Sequence, residues 1–326
     1  MTGQIIGTGA CVPEKVINNQ ELEGLVETSD AWIQERTGIE RRHIAVKETT
    51  VSMAAKAASE ALKEAELPPE QIDLILVSTM SPEEIMPCTA CKVQREIGAS
   101  RAVCFDLSAA CSGFVMAYVT ACAYIEAGIF QNILVIGSEC LSNVTDWSDR
   151  GTCILFGDGA GAAVLTAAEE TKYLPSIYSD GSRGGALTLK SRQNHNPFGK
   201  EVPAGDEGTS YYIEMDGQAI FKFAVRSIPQ AVEEVLRKNH LHKSDIRYYV
   251  LHQANERIVE AVAKRLGEPA YKFPMNMKEY GNTSSASIPL LIHEMKEKNM
   301  LHSGDRLVLA GFGGGLTWGT AIITWK

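Results

Sequence analysis

The sequence has no surplus of positive charge. Its 326 residues include 31 lysines and arginines against 40 aspartates and glutamates, and the formal net charge is −9. Nucleic-acid-binding proteins more often carry a basic surplus or a basic stripe that neutralises phosphates. We therefore expect no nucleic-acid partner, while a local basic patch stays compatible with this net charge.

The sequence also has no recognisable export signal and no convincing membrane span. Its first residues lack a basic stretch followed by an apolar run and a cleavage site. Residues 107–125 carry no formal charge and approach the length of a membrane span. This run contains Ser108, Ser112 and Thr120, which favours a helix buried in a large core. We expect a soluble cytoplasmic protein whose eight cysteines are reduced thiols.

What is present is enough apolar material for a sizeable core. Hydrophobic residues make up 45% of the chain, and the length corresponds to about two domains of roughly 150 residues. Buried strands are predicted at residues 72–77, 102–107 and 133–136, and helices at 88–97 and 111–127. This alternation predicts an α/β fold with a mostly parallel sheet covered by helices on both faces.

The two halves of the chain resemble one another at one constant offset, which we call the internal shift. It carries Ile72 onto Ile246, each at the start of an apolar run, and it carries Cys111 onto Ser285. A third pair of apolar runs, each ending in glycine, coincides as well, with Gly137 meeting Gly311. Three matches at one shift favour a duplication over chance similarity. The predicted halves are residues 1–172 and 173–326.

Cys111 is the first candidate for a nucleophile. It follows a predicted buried strand and two alanines, and it opens the predicted helix at 111–127. The positive end of a helix dipole favours a thiolate and therefore nucleophilic attack. The alternative is an inert cysteine packed in the core, which is the commoner fate of cysteines.

Cys88 and Cys91 form the only C-x-x-C spacing in the chain. A structural zinc site usually has a second cysteine pair or a matching histidine pair, and a redox motif has a different flanking turn. We therefore expect these cysteines to pack on a helix, and we expect no metal site.

His252 and Asn282 are the candidates for polar catalytic groups. His252 ends the predicted strand 248–251, and the carboxyl ends of parallel strands border the crevice in which α/β sheets bind ligands. Asn282 directly precedes the second-half counterpart of the Cys111 helix. Its alternative role is that of a helix N-cap, which asparagine often takes.

Two glycine-rich turns, residues 157–161 and 313–315, suggest a nucleotide loop at first sight. A dinucleotide-binding loop follows a strand and opens a helix, whereas both of these turns run into apolar strands. A dinucleotide site is therefore disfavoured. The backbone N–H groups of such a turn are suited to holding an oxyanion.

Six motifs follow one another along nearly the whole chain: Thr28-Ser29-Asp30-Ala31-Trp32-Ile33, Arg36-Thr37-Gly38-Ile39, Ala109-Ala110-Cys111-Ser112-Gly113-Phe114, His252-Gln253-Ala254-Asn255, Gly281-Asn282-Thr283-Ser284, and Gly311-Phe312-Gly313-Gly314-Gly315-Leu316-Thr317-Trp318-Gly319. In this order and spacing they resemble β-ketoacyl-acyl carrier protein synthase III. The segment Ser191–Gly208 is longer than the pattern of that family, and its role is open.

The resemblance implies a thiolase fold with two duplicated five-stranded halves in five αβαβα layers. It implies a cytoplasmic homodimer that condenses an acyl-CoA primer, acetyl or short and branched, with malonyl-acyl carrier protein. The products of this decarboxylative Claisen condensation are 3-oxoacyl-acyl carrier protein, carbon dioxide and CoA, and the reaction starts fatty acid biosynthesis. Acyl-CoA is a substrate in this scheme, and no cofactor is implied.

The resemblance also implies roles for single residues. Cys111 would carry the acyl group, His252 and Asn282 would stabilise the enolate, and the N–H groups of Cys111 and Gly314 would form the oxyanion hole. The residues that match the CoA-binding positions of the family are Trp32, Arg36, Arg150, Gly217 and Asn255.

Two further sets are expected at the edges of this site. A basic patch for the acidic carrier protein would comprise Lys222, Arg226, Arg257, Lys264 and Arg265. The acyl pocket would include Met215 and Met86, the latter where the family often has a phenylalanine that reaches into the partner subunit. A flexible methionine would admit acyl groups larger than acetyl, whereas the alternative is that Met86 only fills core space.

Other functions remain open at this point. A starter or acyl-transfer enzyme of a polyketide pathway would share Cys111, His252 and Asn282. Thiolases and hydroxymethylglutaryl-CoA synthases are disfavoured, because they use a second cysteine or a glutamate where this chain has Asn282. A catalytically silent binding subunit is the alternative from a different class. The preferred primer and the pathway are not determined by the sequence.

Overall fold

The computed structural model describes residues 1–191 and 211–326 as an α/β protein. Apart from Ser191, the predicted insertion Ser191–Gly208 lies outside the described residues. The strands are β1 (Thr2–Cys11), β2 (Val16–Asn18), β3 (Arg41–His43), β4 (Leu74–Ser78), β5 (Val103–Leu107), β6 (Asn132–Glu139), β7 (Gly159–Ala168), β8 (Ser176–Ser179), β9 (Leu187–Leu189), β10 (Ile213–Met215), β11 (Tyr248–Leu251), β12 (Arg306–Gly313) and β13 (Thr317–Thr324).

The helices are α1 (Asn19–Leu22), α2 (Asp30–Thr37), α3 (Thr50–Glu64), α4 (Thr89–Ile97), α5 (Gly113–Glu126), α6 (Arg150–Cys153), α7 (Gly217–Lys238), α8 (Glu256–Leu266), α9 (Met277–Tyr280) and α10 (Ser287–Glu297). Short 3₁₀ turns precede α5 and α10, at Ala110–Ser112 and Ser284–Ala286. The predicted helix at 111–127 is therefore an α-helix only from Gly113, because its first residues form the tighter turn.

The first half builds a five-stranded sheet in the order β1-β7-β6-β4-β5. β4 pairs in parallel with β5 and β6, whereas β7 pairs antiparallel with β6 and β1. All side chains of β4 are buried, as expected for a central parallel strand that is covered by helices on both faces.

The second half repeats this arrangement at the internal shift predicted from the sequence. Its sheet has the order β11-β12-β13-β8. The internal shift carries the first residue of β4 onto the first residue of β11, and it carries β6 onto β12 at both ends. The 3₁₀ turns and the first residues of α5 and α10 also correspond at this shift. The duplication predicted from three matches therefore extends to the helix and strand ends that surround Cys111.

The second sheet has four strands among the described residues, where the resemblance implies five. Residues 277–281, which match β5 at the internal shift, form α9 and a turn at Gly281 with a positive φ of 66°. The backbone that follows pairs with the first half. The N–H of Asn282 donates to the Leu155 carbonyl at 2.8 Å, and the Gly157 N–H donates to the Asn282 carbonyl at 3.1 Å. These hydrogen bonds hold Asn282 against the first half.

The helices form three layers around the two sheets. α3 and α4 pack on the outer face of the first sheet, α7 and α8 cover the outer face of the second sheet, and α5 and α10 lie between the sheets. Phe114 and Val115 of α5 pack with Val135 of the first sheet and Val250 of the second. Burial between two sheets explains the charge-free run at 107–125. In the described ranges, no helix is long and apolar enough to cross a membrane.

The chain passes from the first sheet to the second between Ala168 and Ser176. The predicted boundary between residues 172 and 173 falls in this connection. The interior is continuous across it, since Phe156 belongs to the same buried cluster as Phe273 and Phe312. The candidate site residues of both halves can therefore meet in one interior.

Candidate active site

One cavity brings together Cys111, His252 and Asn282. Its volume is about 210 Å³. Cys111 comes from the first half, whereas His252 and Asn282 come from the second. The cavity is lined by Cys111, Gly151, Leu155, Phe156, Leu187, Met215, Gly217, Ile220, Phe221, His252, Ala254, Asn255, Ile258, Asn282, Phe312 and Gly313.

Cys111 lies in the 3₁₀ turn that precedes α5, and β12 packs against it. The residue before it, Ala110, has a positive φ of 46°, which is unusual for a side chain other than glycine. Gly313 approaches so closely that a Cβ atom there would lie 2.8 Å from the Cys111 backbone nitrogen and 2.9 Å from its Cβ. Glycine is therefore required at 313 if Cys111 keeps this position.

Burial dominates the ionisation of Cys111. The side chain is 6% exposed, and removal from water raises the pKa of the thiol to about 12, against a smaller lowering by a hydrogen bond with Ser284. This desolvation opposes the thiolate that a helix dipole would favour, and α5 itself begins only at Gly113.

His252 follows the last residue of β11, as the sequence predicted. Its backbone N–H donates to the Ala310 carbonyl at 2.8 Å, and its ring meets the Phe312 ring edge-on with centroids 5.1 Å apart. Burial lowers the pKa of His252 to about 3 because charge on the ring would be desolvated. His252 is therefore a neutral imidazole at physiological pH.

Ser287 supports the His252 ring from α10. Its Oγ lies 2.7 Å from Nδ1 of His252 and accepts a hydrogen bond from the Gln253 backbone N–H at 3.4 Å. A Ser287 hydroxyl that donates to Nδ1 corresponds to the tautomer with the ring proton on Nε2. Sequence reasoning missed Ser287. The sequence does contain a signal for it, because the internal shift carries Gly113, the first residue of α5, onto Ser287.

The side chain of Asn282 is oriented by the backbone of Ser284. Its Oδ1 accepts a hydrogen bond from the Ser284 N–H at 2.9 Å, and the residue is 7% exposed. With the oxygen engaged, the amide nitrogen is the group left to donate. The alternative role as a helix N-cap does not apply, since α10 begins only at Ser287.

The predicted oxyanion-hole residues lie at the meeting point of the two halves. Gly313 lines the cavity and Gly314 follows it directly outside the lining. Thr317 secures this turn, with its Oγ1 donating to the carbonyls of Gly314 at 3.0 Å and Ala109 at 3.2 Å. The sequence did not predict that Gly313 must be a glycine. A run of three glycines does not show which of them packs against Cys111.

An aromatic ring and two cations lie together near the surface. The guanidinium carbons of Arg36 and Arg150 are 5.6 Å and 4.9 Å from the Trp32 ring centroid. Nη1 of Arg150 donates to the Glu27 carbonyl at 3.0 Å, and Nδ2 of Asn255 donates to the Arg36 carbonyl at 2.9 Å. Of the other predicted CoA-binding residues, Gly217 and Asn255 line the cavity. The structure thus brings the five predicted residues to the cavity and its rim.

The five predicted carrier-protein residues are exposed, and within the described part of the chain none of them forms an ion pair. Lys222, Arg226 and Arg265 line one shallow groove where α7 packs against α8, and Arg257 and Lys264 lie on α8. The structure therefore places five exposed cations on the outer helical layer of the second sheet.

The two predicted acyl-pocket methionines lie in different places. Met215 lines the cavity. Met86 is 87% exposed and is not among the cavity-lining residues of its own chain. The alternative that Met86 only fills core space is therefore wrong, whereas a role in a partner subunit stays a prediction.

Two family models match the chain. One, described as 3-oxoacyl-[acyl-carrier-protein] synthase III, matches residues 105–181, and the other, described as the C terminal of that synthase, matches residues 236–325. The β-ketoacyl-[acyl-carrier-protein] synthase III of Clostridium acetobutylicum is 46% identical over 323 residues, which are 99% of this chain and 98% of that protein. That of Streptococcus gordonii is 46% identical over 96% of each chain.

Solved structures agree with this relationship. The 3-oxoacyl-[acyl-carrier-protein] synthase III from Aquifex aeolicus superposes with a TM-score of 0.92 at 42% identity, covering 99% of this chain and 100% of that one. A priming β-ketosynthase from the R1128 polyketide pathway also gives a TM-score of 0.92, at 32% identity and covering 100% and 96%. The chain has the thiolase fold and belongs to the β-ketoacyl-[acyl-carrier-protein] synthase III family.

Proposed function

We propose that this chain condenses an acyl-CoA primer with malonyl-acyl carrier protein and thereby starts fatty acid biosynthesis. The products are 3-oxoacyl-acyl carrier protein, carbon dioxide and CoA. The observation that carries the proposal is the meeting of the buried side chains of Cys111, His252 and Asn282 in one cavity. A thiol nucleophile beside two neutral hydrogen-bond donors suits thioester exchange followed by enolate formation.

The first half-reaction transfers the primer to Cys111. Its sulfur attacks the thioester carbonyl, loses its proton, and displaces CoA as the thiol. The N–H groups of Cys111 and Gly314 are proposed to hold the oxyanion of the tetrahedral intermediate. Support comes from the close approach of Gly313, the residue directly before Gly314, to the Cys111 backbone nitrogen.

The second half-reaction needs donors that stay neutral. When malonyl-acyl carrier protein loses carbon dioxide, negative charge develops on the thioester oxygen. Nε2–H of His252 and the amide of Asn282 are proposed to donate to that oxygen. The pKa of His252, lowered to about 3, keeps the ring from protonating and quenching the carbanion. The carbanion then attacks the acyl carbon on Cys111, and the Cys111 thiolate leaves.

The rim of the cavity is proposed to bind the CoA nucleotide. Trp32 offers a flat ring for adenine, and Arg36 and Arg150 offer cations for phosphate. In this structure the Arg150 guanidinium lies over the Trp32 ring. Adenine would enter between these two groups, while Gly217 and Asn255 would contact the pantetheine arm inside the cavity.

The positive face on α7 and α8 is proposed to receive the acidic carrier protein. The supporting observation is that Lys222, Arg226 and Arg265 border one groove without ion-pair partners within residues 1–191 and 211–326. In a chain with a net charge of −9, such a face would attract an acidic partner and orient it.

The active form is proposed to be a homodimer in the cytoplasm. Among the described strands, β5 is an edge strand that pairs with β4 alone, and its first residue, Val103, is 50% exposed. An unpaired edge of this kind is suited to strand pairing with a second copy. In such a dimer the exposed Met86 would enter the partner's acyl pocket and, being flexible, would admit primers larger than acetyl. The reaction would require no resident cofactor or metal.

A second candidate function for this chain is the priming of a polyketide pathway. It is supported by the similarity to the priming β-ketosynthase of the R1128 pathway, at 32% identity. The β-ketoacyl-[acyl-carrier-protein] synthase III of Clostridium acetobutylicum is more similar to this chain, at 46% identity.

Incubation of the chain with malonyl-acyl carrier protein and a series of acyl-CoA primers separates these two functions. The fatty acid function predicts 3-oxobutanoyl or short branched 3-oxoacyl products on the carrier protein of fatty acid synthesis. A product formed only on a polyketide carrier protein would favour the second candidate, and no product at all would favour a silent binding subunit.

A further inference from the structure

Glu139 is a buried carboxyl group to which the proposed condensation assigns no role. It is the last residue of β6, it is fully buried, and it does not line the cavity of the candidate active site. Its Oε2 accepts hydrogen bonds from the Met80 N–H at 3.1 Å, the Ser81 hydroxyl at 2.6 Å and the Thr79 hydroxyl at 3.3 Å. Its Oε1 accepts from the Ser285 hydroxyl at 2.9 Å. A buried carboxyl group destabilises a fold unless it is hydrogen-bonded, and here both oxygens are.

The contact between Glu139 and Ser285 is the counterpart of a contact at the nucleophile. The internal shift carries Cys111 onto Ser285. It also carries Glu139, the last residue of β6, onto Gly313, the last residue of β12. Gly313 in turn packs against the Cys111 backbone. Equivalent places in the two halves thus hold a glycine beside the nucleophile and a carboxyl group beside the turn that contains Ser285.

This turn is the one that orients Asn282. The Ser284 N–H donates to Oδ1 of Asn282 at 2.9 Å, and Ser284 has a positive φ of 48°. Such an angle is unfavourable for serine and persists only with support from the surrounding structure. Glu139 reaches Ser284 by two routes. One passes through the adjacent Ser285, and the other through Met80, whose sulfur accepts from the Ser284 hydroxyl at 3.6 Å.

The first sheet closes the turn on its other sides. A Cβ atom at Gly137 would lie 2.2 Å from the Ser285 carbonyl oxygen, so β6 touches the turn directly. Oγ of Ser285 also donates to the Ser78 carbonyl at 2.9 Å, and the residue is 1% exposed. The Ser285 hydroxyl therefore has two acceptors on the first sheet, a backbone carbonyl and the Glu139 side chain.

We propose that Glu139 is a positioning residue that holds the Asn282 amide toward the thioester oxygen in the second half-reaction. The inference rests on the proposed function, because that function makes Asn282 a donor to the enolate oxygen. Glu139 acts on Asn282 through Ser285 and Ser284 from outside the cavity lining. Misplacing a catalytic group by about 1 Å can lower a rate by about 10²-fold, so a hydrogen bond at this distance can affect decarboxylation.

The role of Glu139 depends on its hydrogen bonds and not on a negative charge. Burial raises the pKa of the Glu139 carboxyl, against the hydrogen bonds from Ser81 and Met80 that lower it. A glutamine can reproduce the contacts. Its amide oxygen can replace Oε2, and its amide nitrogen can donate to Oγ of Ser285 while that hydroxyl donates to the Ser78 carbonyl. A methionine of similar length reproduces none of them.

The test measures the two half-reactions of the full-length protein, with decarboxylation of malonyl-acyl carrier protein counted per acylated Cys111. Ser285→Ala should lower kcat for decarboxylation about tenfold with KM within about twofold, and acetyl transfer to Cys111 should stay within about threefold. Glu139→Met should give the same pattern, whereas Glu139→Gln should stay within about threefold of the wild type in both steps. Ser285→Ala leads the test because three of the donors to Glu139 remain and support the fold.

A matched control and a double variant separate positioning from loss of stability. Ser138→Ala removes the neighbouring buried hydroxyl of β6, which donates to the carbonyl of Thr50 on α3 at 2.8 Å, and it should leave decarboxylation unchanged. In an Asn282→Ala background, Ser285→Ala should lower decarboxylation by less than about twofold, because the amide that the turn positions is absent.

Three results would overturn the proposal. These are additive losses in the double variant, decarboxylation by Ser285→Ala as fast as by Ser138→Ala, and a Glu139→Gln protein as impaired as Glu139→Met. Failure of the proposed function is distinguishable, because Asn282→Ala alone would then decarboxylate malonyl-acyl carrier protein as fast as the wild type.

Discussion

Ala110 and Ser284 occupy equivalent positions in the two halves and adopt nearly the same left-handed backbone angle, with φ values of 46° and 48°. Each opens a 3₁₀ turn that leads into one of the two central helices. In the first half the next residue is Cys111, and in the second half it is Ser285, whose Oγ donates to the buried Glu139 carboxylate at 2.9 Å. The same strained turn thus presents the nucleophile in one half and joins the two halves in the other.

The two half-reactions should respond differently to loss of the polar donors. Replacing His252 or Asn282 with alanine should lower condensation by about 10²–10³-fold, because a donor to the enolate oxygen is removed. Acetyl transfer to Cys111 should stay within about threefold of the wild type, since the nucleophile and its oxyanion hole are intact. Stopped-flow acylation and a malonyl-acyl carrier protein decarboxylation assay measure the two steps separately. Equal losses in both assays would contradict the assigned roles.

The pH dependence should also separate the two steps. Since the pKa of Cys111 is raised to about 12, the thiolate fraction grows with pH, and the acylation rate should rise about tenfold per unit between roughly pH 7 and 9. His252, with its pKa lowered to about 3, stays neutral over this range. Decarboxylation by the preformed acyl-enzyme should therefore be nearly flat. An inflection near pH 6.5 in the second step would show that His252 titrates normally.

Gly313 should be intolerant of a side chain. Gly313→Ala places a methyl group against the Cys111 backbone, and overpacking of this kind costs about 1–3 kcal/mol of folding free energy. Acylation should fall as well, because either Cys111 or the turn must move. Gly181→Ala is the matched control, since no described atom lies within 4 Å of a Cβ there. Urea denaturation and acetyl loading that are unchanged in Gly313→Ala would contradict the packing argument.

Substitutions on the positive face should weaken binding of the carrier protein and leave acylation by acetyl-CoA unchanged. Arg257→Glu should raise KM for malonyl-acyl carrier protein by about tenfold, more strongly at low salt, and should leave acylation by acetyl-CoA unchanged. Lys63→Glu is the charge-matched control, because this exposed lysine lies on α3 in the opposite outer layer. Equal effects of the two substitutions would assign the change to net charge instead of to docking.

The sequence alone predicts the parts of the site that depend on local pattern. His252 was found because it ends a buried strand, and Cys111 because it begins a helix after one. The internal shift predicted that their surroundings are duplicated. The neighbouring residues are enough to recognise His252 and Cys111, and a comparison of the two halves of the sequence is enough to recognise the internal shift.

Features that depend on packing between distant segments were not predictable. The high pKa of Cys111 follows from its burial between the halves, and the role of Gly313 follows from contact with Cys111 in the other half of the chain. The second sheet has only four strands among the described residues for the same reason, since Asn282 pairs with Leu155 and Gly157 of the first half. Local propensity carries no information about such partners.

The central claim is that Cys111 alone carries the acyl group. Its most direct test is the intact mass of the full-length protein after incubation with acetyl-CoA, followed by tryptic mapping. We expect one acetyl group, located in the peptide 102–150. The modification should be absent in Cys111→Ser and retained in Cys122→Ser, a control for a second cysteine of the same peptide. An acetyl group that persists in Cys111→Ser while the variant keeps its fold by circular dichroism would contradict the account.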